Sequence, residues 1–475
     1  MPAANRAIFC LADVAAAATA AGGAIVSGSK ALPITGVSTD SRTAAPGNLF
    51  VALSGDNFDG NRFVGAAAAA GAVAAVVRRG FVADGLPEGF GVVEVDDPLR
   101  ALGALARVHR RRFPSLKVGA ITGSNGKTTT KELAHAALTA AFGKTLKTEG
   151  NLNNEIGLPL TLLGLDPSHR AAAIEMGMNH AGEIARLTAI AEPAAGLVTC
   201  VQPVHMEGLG SVEAIAKAKG ELFHGLPAGA VAVANVDDPL VVAEAKASGR
   251  PCVGFGRAAG ADVRLARIVS HDRRGLAFEL SLGGESAFVR IPLVGQHNAH
   301  NACAAIALGI ALGGDADRLL EGLSMARGFS RRLELKEAPG GVTVLDDCYN
   351  GNPASAVAAL RTARELAGEG RVIAILGDLR ELGSFEEAGH REVGEAAAAS
   401  AVAGLVAFGP LSRETAAAAV AGGVAEGAVL HTDDPSEALA WLRAFVREGD
   451  LVVAKASRGT RLERIIDPLV DGKEA

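Results

Sequence analysis

The sequence predicts an α/β protein of three domains, and three observations lead there. Its 475 residues suggest roughly three units of about 150 residues each. Short apolar runs alternate with alanine-rich, helix-forming stretches, the pattern of parallel strands joined by crossover helices. One such run, residues 117–122, passes through a glycine turn directly into a helix, the context in which backbone amides bind phosphate.

The first domain is placed at residues 1–108, an N-terminal α/β unit. It holds the polar segment Ser38-Thr39-Asp40-Ser41-Arg42, a strand-like run at 48–53, a turn-rich stretch at 55–60 and an alanine run at 66–70 that reads as helix. A basic stretch containing a proline, residues 110–114, reads as the linker into a central domain at 109–328. Strands are expected there at 117–122, 171–176, 196–201 and 230–235, with the first helix starting near Thr128. A second boundary falls at 327–331, and a C-terminal domain at 329–475 follows. Its expected strands, at 342–346, 371–376, 403–408, 428–431 and 451–455, alternate regularly with helices. That is the pattern of a doubly wound, Rossmann-like sheet, which places ligand contacts at the carboxyl ends of its strands.

Composition narrows the function. With 49% hydrophobic and 21% charged residues the chain can build several ordinary cores. A net charge of −6 excludes a general nucleic-acid binder, which needs a basic face, but leaves room for an anionic nucleotide in a local positive site. The five cysteines, Cys10, Cys200, Cys252, Cys303 and Cys348, form no CxxC pair and no zinc spacing, which fits a reducing compartment. Asp13 breaks the apolar stretch that a signal peptide would need after Arg6. The longest uncharged run, between Glu395 and Arg413, is too short to span a membrane and contains Gly409-Pro410. It reads as a helix end leading into a buried strand, and the protein is expected to be soluble and cytoplasmic.

The strongest local signal is Thr122-Gly123-Ser124-Asn125-Gly126-Lys127-Thr128-Thr129-Thr130. Glycines let backbone N–H groups close on phosphate, Lys127 supplies a point charge, and the Thr128 hydroxyl can coordinate Mg²⁺. Ile121 stands where the longer GxxxxGK spacing has its first glycine, so the match is to a shorter GxxGKTT form. The plainer alternative is a glycine turn before a helix. Glu175, in Ile174-Glu175-Met176-Gly177, ends an expected strand, where a carboxylate can meet Mg²⁺ beside the loop phosphates or can be an ordinary strand-end residue. His205 also follows a strand end, although a lone histidine is more often structural. By themselves Lys217 and Lys219 read as a solvated helix face. Asn298 and Asn301, three apart, share a helix face, as an adenine-reading pair or as capping residues.

In their order along the chain these motifs resemble those of the Mur ligase family over nearly its whole length. The resemblance implies that Gly123, Ser124, Asn125, Gly126, Lys127, Thr128 and Thr129 bind ATP, with Glu175 and His205 holding catalytic Mg²⁺, two ions in all. Lys219 matches by spacing the lysine that becomes a carbamate and joins the metal site. Asn298 and Asn301 match the adenine-binding helix, Arg332 the arginine that reaches the γ-phosphate when the domains close, and Asp347 the ribose contact.

Within the family four features resemble the member that adds D-alanyl-D-alanine to a UDP-muramoyl-tripeptide. The loop carrying Thr148, Asn151, Asn153 and Asn154 resembles its asparagine-rich loop for the muramoyl-peptide. Tyr349-Asn350-Gly351-Asn352-Pro353 has its Tyr-Asn-x-Asn-Pro form. Lys455-Ala456-Ser457-Arg458 resembles its Lys-Gly-Ser-Arg, with Ala456 in place of glycine, and the Asp-Asn-Pro-Arg motif of the diaminopimelate-adding relative is absent. Ser38, Asp40, Ser41 and Arg42, with residues 55–63, resemble UDP-binding segments, with Asn61 where the family often has histidine.

The implied reaction is ATP-dependent amide-bond formation through an acyl phosphate. Its partners are UDP-N-acetylmuramoyl-tripeptide, D-alanyl-D-alanine and ATP, with no nucleic acid and no membrane insertion, and the protein is expected to be a monomer. The rival readings are another amide ligase, such as a folylpolyglutamate synthase, and a nucleotide-binding regulatory protein without catalysis.

Overall fold

The computed structural model describes residues 5, 7–55, 58–82, 84–203 and 206–472. Three separate sheets, each flanked by helices, organise the chain. The first has five strands in the order Ala24–Ser27, Gly91–Val95, Ala74–Arg78, Leu49–Val51 and Val37–Ser38, and only its first pairing is antiparallel.

Helix Pro98–Arg111 leaves this unit, capped by Asp97, whose carboxylate accepts from Leu99 N and Arg100 N. The basic stretch at 110–114 departs from the expected linker. Arg110 and Arg111 belong to the helix, and the buried Arg110 donates through Nε to Ala191 O (3.1 Å) and through Nη1 to Phe113 O (2.8 Å). Its neighbours Arg107 and Arg111 both pair with Glu192. These cations clamp the helix to the central domain, because a guanidinium can reach several carbonyls in a fixed fork.

The central sheet has nine strands. Thr145–Lys147, Ala171–Glu175, Lys117–Thr122, Ala195–Val198, Val231–Asn235, Cys252–Gly256 and Val263–Asp272 lie parallel in that order. Gly275–Leu282 and Glu285–Ile291 then extend the sheet antiparallel. The inner strands Ala171–Glu175 and Ala195–Val198 are buried at every position because helices cover both faces of the sheet. The antiparallel extension reaches toward the last domain: His271 Nδ1 lies 2.9 Å from Glu365 Oε2, and Arg273 Nη1 donates to Thr343 Oγ1 (2.9 Å).

The last sheet has the order Glu334–Ala338, Val342–Asp346, Leu451–Lys455, Val372–Gly377, Gly404–Phe408 and Val429–Thr432, parallel except for its first strand. The uncharged run before Arg413 holds the end of helix Glu386–Ala399 and the buried strand Gly404–Phe408, as its sequence suggests. Among the described residues no helix is long and apolar enough to cross a membrane.

Candidate active site

The register of the central sheet builds the site. Ile121 pairs with Glu175 and Thr122 with Val198, so three neighbouring strands end level with one another. Residues 123–126, 176–178 and 199–202 therefore leave the sheet side by side, at the end where open α/β sheets bind ligands.

The glycine loop follows Lys117–Thr122 and opens helix Lys127–Phe142. Gly126 at the N-cap has φ 80°, and a Cβ on Gly123 would lie 1.8 Å from Thr199 Oγ1. Both positions need glycine, one for its backbone angle and one for space. Thr199 Oγ1 donates to Asn125 O (2.6 Å), and Ser124 Oγ donates to Gln202 O (3.0 Å). Thr199, Cys200 and Gln202 are contacts that sequence reasoning missed. Their signal was positional: they follow the strand next to the loop's own.

Lys127 is largely buried and folds back over the loop, its Nζ donating to Gly123 O (2.7 Å) and Ser124 O (3.2 Å). Burial pushes its pKa down, Glu175 opposes that, and Arg332 adds to it. A partly buried cation whose hydrogen-bond partners among the described residues are carbonyls is poised for an anion.

Glu175 is 2% exposed. Asn153 Nδ2 donates to its Oε1 (2.9 Å), and Thr148 Oγ1 accepts its backbone N–H (2.9 Å). Its other carboxylate oxygen, Oε2, is buried with no hydrogen-bond partner among the described residues.

Lys219, on helix Val212–His224, is 1% exposed, whereas Lys217 two residues earlier is exposed. Burial holds the Lys219 pKa well below the usual lysine value, and the nearby Lys127 pushes it further down. His205 lies outside the described residues. Among the described residues no three His, Cys, Asp or Glu converge on one point. A cation here would draw on a few protein groups and on phosphate oxygens, which is how Mg²⁺ is usually held at nucleotide sites.

The C-terminal domain meets this site directly. Arg332 Nη2 donates to Thr128 Oγ1 (2.8 Å), and Asn352 Nδ2 donates to Asn125 Oδ1 (2.8 Å). The residues on either side of Arg332 adopt left-handed backbone, Arg331 at φ 58° and Leu333 at φ 52°. Such angles cost a non-glycine residue on the order of 1–3 kcal/mol and persist only where surroundings enforce them. Here Glu334 accepts from Arg331 N (3.0 Å), Asp347 accepts from Leu333 N (3.2 Å), and the Arg331 guanidinium pairs with Asp467. Arg332 also lies over the Tyr349 ring at 4.5 Å, with Arg458 at 5.8 Å from the same ring.

Other residues expected at the site are engaged with one another. Asp347 and Lys455 are both buried and pair at 2.5 Å, and desolvation raises the Asp347 pKa despite that lysine. Asn301 Nδ2 donates to Asn298 Oδ1 (2.9 Å), and Asn298 Nδ2 to Val294 O (2.7 Å), so both amides are occupied inside the helix packing. Asn301 still borders the glycine loop, since a Cβ on Gly126 would lie 2.5 Å from its Oδ1.

Asn352 caps helix Pro353–Ala367, Asn350 Oδ1 accepts from Arg458 N (3.3 Å), and Ser457 Oγ donates to Gly351 O (3.1 Å). Ala456 is fully buried without left-handed backbone, so the alanine costs no strain there. Asn154 Oδ1 accepts from Gly157 N (2.9 Å), at the start of helix Gly157–Leu163, and Asn151 is exposed. In the first domain Ser38 Oγ donates to Asp40 O (2.9 Å), and Asp40 pairs with Arg42 at 2.6 Å beside Ser41. That guanidinium holds the Asp40 pKa down at about 2.

Comparison with known proteins covers the same three units. The description Mur ligase family, catalytic domain matches residues 33–110, Mur ligase middle domain matches 121–309, and Mur ligase, glutamate ligase domain matches 331–458. The chain is 36% identical over 446 residues to the UDP-N-acetylmuramoyl-tripeptide--D-alanyl-D-alanine ligase of Bacillus subtilis, covering 92% of this chain and 93% of that one. A crystal structure of MurF from Acinetobacter baumannii superposes with a TM-score of 0.88 at 30% identity, covering 98% of this chain and 100% of that one. The MurF ligase of Thermotoga maritima, solved in complex with ADP, gives 0.80 at 28% identity, covering 92% and 97%.

Proposed function

The chain belongs to the Mur ligase family, and on that premise we propose that it joins D-alanyl-D-alanine to UDP-N-acetylmuramoyl-tripeptide at the expense of ATP. The relatives that it matches along nine-tenths of its length carry that activity in their names. The observation that carries the mechanism is the reach of Arg332, from the last domain, onto Thr128 of the glycine loop. That contact supports a reading in which two cations from two domains, Lys127 and Arg332, serve the point where two anions have to meet.

The tripeptide carboxylate attacks the γ-phosphorus of ATP, ADP leaves, and an acyl phosphate forms. The dipeptide amine then attacks the acyl carbon, and the tetrahedral intermediate expels phosphate as the amide forms and the amine proton is lost. Lys127 leaves its carbonyl partners for the phosphates, and Arg332 neutralises charge on the transferring group. The closed joint between the domains excludes water that would hydrolyse the acyl phosphate. Glu175 and Thr128 would hold Mg²⁺, with Lys219 as a carbamate and His205 completing the set. The ion would supply charge neutralisation to the phosphates. The orphaned oxygen of Glu175 and the buried, uncharged-leaning amine of Lys219 support that assignment.

The reading predicts ADP release only when ATP, UDP-muramoyl-tripeptide and D-Ala-D-Ala are all present, or a slow leak without the dipeptide. ADP release that ignores the muramoyl substrate, or prefers a folate or diaminopimelate acceptor, would overturn it. A second expectation concerns Arg332. Arg332→Ala should lower kcat by roughly 10²-fold while the affinity for ATP in the absence of the muramoyl substrate falls far less. Equal losses, measured by steady-state kinetics and by nucleotide titration, would place Arg332 in the resting nucleotide site instead.

A further inference from the structure

We infer that Asn153 and Thr148 are positioning residues for the Glu175 carboxylate, and that Lys131 fixes Thr148 from beneath. This rests on the assignment of Glu175 to Mg²⁺ above, and it gives the asparagine loop a task other than contact with the muramoyl-peptide.

The geometry is a buried chain of donors and acceptors. Lys131 is 1% exposed, and its Nζ donates to Thr148 O (2.8 Å) while pairing with Glu132 (2.7 Å). Thr148 is fully buried, and its Oγ1 accepts the N–H of Glu175. A side chain so enclosed, with its hydroxyl spent on a strand end, has no surface left for a peptide substrate. Asn153 closes the other side by donating to Glu175 Oε1, and its backbone carbonyl accepts from Gly177 N (2.8 Å). Gly177 is what admits it: a Cβ there would lie 2.9 Å from Asn153 Oδ1.

The consequence is selective. One carboxylate oxygen is tied to protein, and the other, Oε2, is left buried and without a hydrogen-bond partner among the described residues. A carboxylate held at both its backbone and one oxygen cannot rotate away from a cation, and it presents one defined lone-pair direction. Groups that orient a metal-binding side chain in this way typically contribute 10–100-fold to metal affinity or activity.

The test uses the full-length protein with a non-hydrolysable ATP analogue and Mn²⁺, with free Mn²⁺ read by electron paramagnetic resonance. Asn153→Ala and the near-isosteric Thr148→Val should each weaken Mn²⁺ binding by roughly 10-fold or more. The KM for UDP-muramoyl-tripeptide should stay unchanged while the Mg²⁺ concentration for half-maximal kcat rises. Unchanged Mn²⁺ affinity in both variants, with a raised KM for the muramoyl substrate, overturns the inference and returns both residues to substrate binding. Glu175→Gln separates the two levels of the argument. If it leaves Mn²⁺ affinity intact, the metal assignment itself is wrong. If it loses Mn²⁺ while Asn153→Ala and Thr148→Val do not, only the positioning role fails. Because Thr148 is in the core, the thermal transition of each variant is recorded, and Asn153→Ala, half-buried at a loop, carries the test if Thr148→Val does not fold.

Discussion

Lys127→Ala is expected to lower kcat by on the order of 10³-fold while the protein stays folded. A donor aimed at charge that develops in the transition state is worth about 10²–10³-fold in other sites, and on the proposed mechanism Lys127 faces the group that moves. The structure sharpens the expectation in two ways. Among the described residues Lys127 makes no ion pair that its removal would break, since its Nζ partners there are the carbonyls of Gly123 and Ser124. Burial also disfavours its charge, so the ligand-free protein gains little stability from that ammonium. Loss of function should therefore come without loss of fold, with a stability change within about 1 kcal/mol. Single-turnover ADP formation and denaturant unfolding, run on the same preparation, check both halves. A folded variant that turns over within tenfold of the parent would show that the glycine loop is a structural turn.

Much of this arrangement was legible in the sequence because its signals are local. An apolar run ending in Thr122, two glycines and a lysine specify strand, turn and helix start without help from elsewhere, and the strand Lys117–Thr122 falls where the sequence puts it. The regular alternation after residue 340 specified the last sheet for the same reason: fully buried parallel strands read as nearly continuous apolar runs. Long-range partners were not legible. Arg110 looked like linker because the carbonyl that its Nε reaches, Ala191 O, lies 81 residues away. The first edge strand, Glu334–Ala338, is half polar and pairs only with its antiparallel neighbour, so no apolar run announced it. Asn298 and Asn301 share a helix face as their spacing requires, but only the fold shows that each amide spends itself on its neighbours.

The pair Lys217 and Lys219 shows the same limit most sharply, and it bears the last prediction. Two lysines two apart on a helix point to nearly opposite faces, so one can be solvated while the other is core. The exposed one is Lys217, and the buried one is Lys219. A buried lysine with no hydrogen-bond partner among the described residues is costly unless it loses its charge, and burial together with Lys127 drives its pKa far down. A neutral amine is the form that attacks CO₂: the N–C bond forms, one proton leaves, and the neutral amine becomes a carbamate anion. Lys219→Ala should then lower kcat by on the order of 10²–10³-fold, as expected of a group that holds charge at the phosphates. On the proposed carbamate assignment the missing group is a short carboxylate, so acetate or propionate should restore part of the activity to Lys219→Ala and none to Lys127→Ala, whose missing group is a cation. Lys217→Ala, on the solvated face, should keep full activity and a stability within about 0.5 kcal/mol of the parent. Steady-state rates over a titration of each acid decide the matter. Full activity in Lys219→Ala, or loss in Lys217→Ala, would remove Lys219 from the metal site and leave its burial to be explained by packing alone.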